Sequence, residues 1–134
     1  MSEERSFLDT NVLLYLHSAD SRKADTAEAL IAAGGIVSVQ VLNELTHVLR
    51  RKLLYSWQEV NHVLDLMERL LQVVPLTQEV HRQGRLLATR YSLSVYDAMI
   101  VAAAMHADCD VLYSEDMQSG QQFNGAMRLV NPFK

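Results

Sequence analysis

The chain has 134 residues, enough for one domain with a substantial core and too few for two ordinary ones. Apolar residues make up 49% of it, against five glycines and two prolines, which argues against a disordered or fibrous chain. A net charge of −4 argues against a surface coated with nucleic acid and leaves room only for a local basic patch.

Behind Met1 stands the polar "SEERS", where a secretory leader would carry a basic start and an unbroken apolar run. In "SFLDTNVLLYLH" (6–17), Phe7 and Leu8 read as the end of a buried strand near 6–9, and Val12 to Leu16 as the start of a buried helix. Asp9, Thr10 and Asn11 interrupt them, and Asp9 taken alone reads well as an N-cap for 11–17. A helix near 21–33 is stopped by Gly34 and Gly35, and a strand near 35–38 follows. On the helix 39–52, Val41, Leu42, Leu45, Val48 and Leu49 share one apolar arc, with Glu44 on its border. That helix ends on Arg50, Arg51 and Lys52, the clearest basic cluster, which suits a helix C-terminus. "SWQE" (56–59) has the form of a capping box and opens a helix over 57–71.

A strand near 73–76 and a helix over 77–91 precede "YDAMIVAAAMHA" (96–107), a helix near 95–107 that is apolar almost all round and hence buried. Asp97 opens it, either as a helix-terminal anion or as a carboxylate pointing into the protein that needs a cation or hydrogen-bond donors. The longest apolar run, "AMIVAAAM" (98–105), is far too short to span a bilayer. Cys109, the single cysteine, has no internal partner and favours a reducing, cytoplasmic setting as a small buried residue. The strand "DVLYS" (110–114) leads into "SEDM" with Asp116, and a last strand lies near 127–130.

Strands alternating with helices predict one α/β domain over 1–134, an α/β/α sandwich around a short, mainly parallel sheet of about five strands. Ligand sites in such sheets form beyond the carboxyl ends of the strands, which is where Asp9 and Asp116 fall. Taken singly, Glu44 reads as a solvated helix residue and Asp116 as a loop acid. Together the four acids stand at core boundaries; packed close they would repel, and an all-oxygen site of this kind suits Mg²⁺ or Mn²⁺.

"FLDTNVLLY", "VQVLNEL", "YDAMIVAAA" and "YSEDM", in that order, resemble the PIN-domain family, especially its bacterial VapC-like ribonucleases. The resemblance runs from Phe7 to the closing "NPF" (131–133). It implies an acidic pocket that binds Mg²⁺ or Mn²⁺ and hydrolyses RNA phosphodiesters, with the family's acids falling on Asp9, Glu44, Asp97 and Asp116. It also implies Ser114, Thr10 and Asn11 as supporting groups, a homodimer, and, for a toxin, an antitoxin protein as partner. The rival readings are a PIN-like module that binds RNA or protein without cutting, and a receiver-like Mg²⁺-binding signalling domain. The latter would want a Lys after the last strand, and "VNPF" has none.

Arg51, about two turns beyond Glu44 on the same side, could hold an RNA phosphate near the site. Trp57, Tyr91 and Tyr96 are expected to pack rather than stack on bases. Leu13, Leu14 and the mixed face of 57–71 are expected to leave apolar surface for self-association.

Overall fold

Short runs rich in Val, Ile, Leu and Phe, too brief for helices, form the strands, and the first three are each followed by a capped helix. In chain order these are β1 (Ser6–Leu8), α1 (Thr10–Leu14) with a 3-10 turn at Tyr15–His17, α2 (Ser21–Ala32), β2 (Ile36–Ser38), α3 (Val39–Arg51) and α4 (Trp57–Leu70). There follow β3 (Gln72–Val74), α5 (Gln78–Tyr91), α6 (Val95–His106), β4 (Val111–Tyr113), β5 (Gln122–Phe123) and β6 (Met127–Val130). The computed structural model describes residues 4–117, 122–123 and 127–134.

The sheet order is β3-β2-β1-β4-β6-β5. All pairs but the last are parallel, as the alternation predicts. β5 pairs antiparallel with β6 and adds an edge strand that the sequence did not announce. β1 lies between β2 and β4, so its carboxyl end opens at the centre of the sheet.

Local chemistry sets the helix boundaries. Asp20, Ser38 and Thr77 cap α2, α3 and α5 with side-chain oxygens, and Ser56 and Glu59 complete the expected capping box of α4. Gly34, at φ +79°, ends α2 in the left-handed conformation that costs glycine nothing. α6 is buried from Ala98 through Ala104, as its unbroken apolar sequence requires. With Phe7, Leu8, Val37, Leu112 and Leu129 of the strands it forms the core. Each large side chain there stabilises the fold by about 1.5–3 kcal/mol. Cys109 is buried and unpaired, as expected.

Two expectations about exposure fail. Leu13 is core rather than surface, because α1 is only five residues long and packs on α3. Trp57 and Tyr96 are more than half exposed, because each stands in the first turn of its helix, ahead of the residues that pack inward. Tyr91 does pack, edge-on against Phe123. Among the described residues no helix is long and apolar enough to cross a membrane.

Candidate active site

The carboxyl end of β1 delivers Asp9, whose backbone N–H still donates to the Tyr113 carbonyl at 3.0 Å and so extends the pairing with β4. Its extended backbone makes it the N-cap of α1, and its Oδ1 accepts from the Thr10 N–H at 2.7 Å. The other oxygen faces the neighbouring strand end: Ser114 Oγ donates to Oδ2 at 2.7 Å and Asn11 Nδ2 at 3.2 Å. Asp9 is thus a cap and a buried pocket acid at once. Burial pushes its carboxyl up to about 7; the Ser114 hydroxyl and the Thr10 N–H oppose this, and the charges of Asp97 and Glu44 add to it.

Asn11 is the junction of the site. Besides Asp9, its amide donates to Asp116 Oδ2 at 3.0 Å, and its carbonyl accepts from the Glu115 N–H at 3.1 Å. Ser114 Oγ in turn accepts from the Asp116 N–H at 3.2 Å, so one hydroxyl orients two of the acids. Glu44 reaches the same place from α3, held by Thr10 Oγ1 at 3.0 Å and Gln40 Nε2 at 3.1 Å. Asp97 enters from the first turn of α6, where its N–H donates to the capping Ser94 hydroxyl at 3.2 Å. Burial holds its carboxyl above the usual range, the Ser94 hydroxyl works against this, and the Asp116 charge adds to it.

The structure therefore brings together what lay apart in sequence. Glu44, Asp97 and Asp116 line one open groove of about 710 Å³ with Thr10 and Asn11, and Asp9 lies buried beneath it. Arg51 is not in that groove; it lines a neighbouring hollow, and Lys52 stands in the groove instead. Among the described residues no three acids, imidazoles or thiols form a ready-made cage for an ion. The donor set nonetheless fits a hard divalent cation. All four side chains offer carboxylate oxygen; burial first, and neighbouring carboxylate charge second, raise Asp9 and Asp97, a load that a cation would relieve.

Several partners were not visible in the sequence. Gln40 stands one turn before Glu44, the spacing at which a helix lets side chains meet, and that is the only signal it offered. Tyr15, Lys23 and Glu115 form a clamp across the outside of the acidic loop. The Tyr15 hydroxyl and Lys23 Nζ both bond the Glu115 carboxylate, the latter at 3.1 Å, and Lys23 also lies over the Tyr15 ring. A contact spanning 100 residues has no local signature.

The PIN domain profile matches residues 6–119. No curated protein matches the chain. Among solved structures, a toxin–antitoxin complex from Klebsiella pneumoniae is similar at a TM-score of 0.71 and 19% identity, covering 95% of this chain and 97% of that one. VapC20 of Mycobacterium tuberculosis, described as a Sarcin-Ricin loop cleaving toxin, is similar at 0.68 and 20%, covering 83% and 89%. FitAcB from Neisseria gonorrhoeae is similar at 0.65 and 18%, covering 96% and 98%. With the profile spanning most of the chain and the fold shared with such neighbours, the chain belongs to the PIN domain family.

Proposed function

We propose that the protein is a metal-dependent endoribonuclease of the VapC kind. One observation carries the reading: carboxylates from two strand ends and two helices meet at one groove, and the most buried of them, Asp9, is held by Ser114, Asn11 and Thr10 rather than by a cation of the chain. Asp9, Glu44, Asp97 and Asp116 would hold Mg²⁺ or Mn²⁺. The ion, when bound, supplies a water of lowered pKa and neutralises charge on the scissile phosphate.

The chain's own groups supply position. Ser114 and Asn11 fix Asp9 and Asp116 relative to each other, and Thr10 and Gln40 point Glu44 into the groove. Asp97 is half buried and, among the described residues, no cation pairs with it, which suits it to draw a proton from an attacking water as well as to bind metal. Arg51, with Lys52, provides the phosphate contacts that four acids cannot.

An antitoxin protein is the proposed partner, since several structural neighbours are toxin–antitoxin complexes. A homodimer belongs to the same reading, formed through exposed apolar side chains such as Leu86, Val95 and Tyr96. The buried, unpaired Cys109 is consistent with work in the cytoplasm.

Purified protein should cut single-stranded RNA in Mg²⁺ or Mn²⁺ and stop when EDTA is added. Asp97→Asn should abolish cutting, with circular dichroism and melting cooperativity unchanged. Cleavage that persists in EDTA or in that variant defeats the proposal, and a chain that binds RNA without ever cutting it is the non-catalytic module instead.

A further inference from the structure

The acidic groove does not end at Glu44. Asn43, beside Glu44, and His47, one turn further along α3, line it and also line a second hollow of about 570 Å³ whose far wall includes Arg50, Arg51, Leu54 and Trp57. No acid lines this second hollow among the described residues. The sign of charge therefore reverses along one helix, from Glu44 to Arg50 and Arg51, in a chain whose net charge is −4.

The far wall is built in an unusual way for a structural surface. Trp57 is 56% exposed at the first position of α4, before the residues Val60 and Met67 that bury that helix. The Arg50 guanidinium lies 4.8 Å from the indole centroid and is itself held by donating to the Tyr55 carbonyl at 2.9 Å. A cation pinned against one aromatic face fixes the ring and leaves its remaining surface to another partner. Leu54 is 80% exposed in the adjoining turn, in a left-handed conformation at φ +58°. An exposed aromatic and a fixed cation beside a second, exposed positive charge, here Arg51, are the elements with which proteins hold unpaired bases and their phosphates.

Resting on the reading of the acidic groove as an RNA-cutting site, we propose that this hollow binds a nucleotide of the same single strand, flanking the scissile phosphate. Its base stacks on Trp57 against Leu54, Arg51 holds its phosphate, and the strand passes His47 to reach the acids. The alternative occupant, a segment of a protein partner, would be expected to bring acidic residues of its own; continuity with the catalytic groove favours the strand.

Trp57 is the only tryptophan in the chain, so its emission reports on this hollow alone. The probe is a phosphorothioate RNA strand of about ten nucleotides, within the usual span of such grooves, added to wild type in Mg²⁺ and to Asp97→Asn. Saturable quenching is expected in both, weakening as salt rises. By anisotropy of the labelled strand, Trp57→Ala should bind roughly 5- to 100-fold more weakly, Trp57→Phe should recover most of the loss, and Arg51→Ala should flatten the salt dependence. A strand that binds with emission unchanged and is indifferent to Trp57→Ala overturns the inference, as does shielding of the indole by a protein partner but never by RNA. Cleavage assays of wild type on the unmodified strand of the same sequence separate the two readings: cutting there without quenching by the phosphorothioate strand removes only this hollow, and quenching without cutting removes only the nuclease.

Discussion

The carboxyl of Asp9 carries opposing demands, and their balance sets a pH dependence. Three donors favour its charged form, yet burial and two neighbouring carboxylates outweigh them and leave it titrating near 7, against 3.8 when unfolded. The folded protein therefore binds a proton that the unfolded chain has lost between those values. That contribution to stability is fully present below about 3.8 and disappears as pH rises through about 7. In EDTA, the melting temperature of wild type should fall from pH 5 to pH 8, by an amount of the order of a few kcal/mol in stability. Asp9→Asn should flatten most of that slope, since an amide does not titrate and still caps α1. Parallel slopes for the two proteins would show that Asp9 is ionised throughout and that the donors prevail. The cap was legible in "LDTN"; an acidic site was suggested by carboxylates at strand ends and core boundaries, but their convergence rested on the family resemblance, because the groups crowding Asp9 come from α3 and α6.

At the level of elements, the contact between α5 and α6 sets where Asp97 begins. Gly84 lies against α6 so closely that a Cβ there would meet Met99 Cε at 2.6 Å and the Ala98 carbonyl at 3.4 Å. The methionine end can yield to one methyl group, but a branched side chain must also push the backbone. Gly84→Val should cost about 1–3 kcal/mol in denaturant melts, the usual penalty of overpacking. Because Ala98 follows Asp97 directly, it should also weaken Mg²⁺ binding beyond what the lost stability explains. Unchanged stability would mean that the helices separate freely. The strands and helices themselves were readable because their signals are local: three-residue apolar runs, a Ser-x-x-Glu box, a helix with no polar face. β5 was not, since two residues paired antiparallel show no period, and neither was the exposure of Trp57, since residue type suggests packing and only its place in the first turn of α4 denies it.

For the whole molecule, exposed apolar side chains include Leu66 and Leu70 on α4, Leu86 on α5, and Val95 and Tyr96 at the start of α6. Leu13, once expected to add to them, is core. Sedimentation should give a dimer at tens of micromolar, roughly the range of a weak association, and Leu86→Glu with Val95→Glu should return it to monomer. A wild-type monomer at that concentration removes the homodimer from the reading. The order of the sheet has a further consequence, one of timing. β1 is made first but sits between β2 and β4, and Asp9 takes a hydrogen bond from Ser114, 105 positions later. A chain still emerging from the ribosome holds Asp9, Glu44 and Asp97 well before Ser114 and Asp116, and β4 finds its outer neighbour only when β6 follows. Pairings this distant in sequence form late and slowly. The acidic groove is therefore assembled only once Ser114 and Asp116 have been made, Ser114 standing 105 positions after Asp9, so a nascent chain that stops short of them has its acids but not their arrangement.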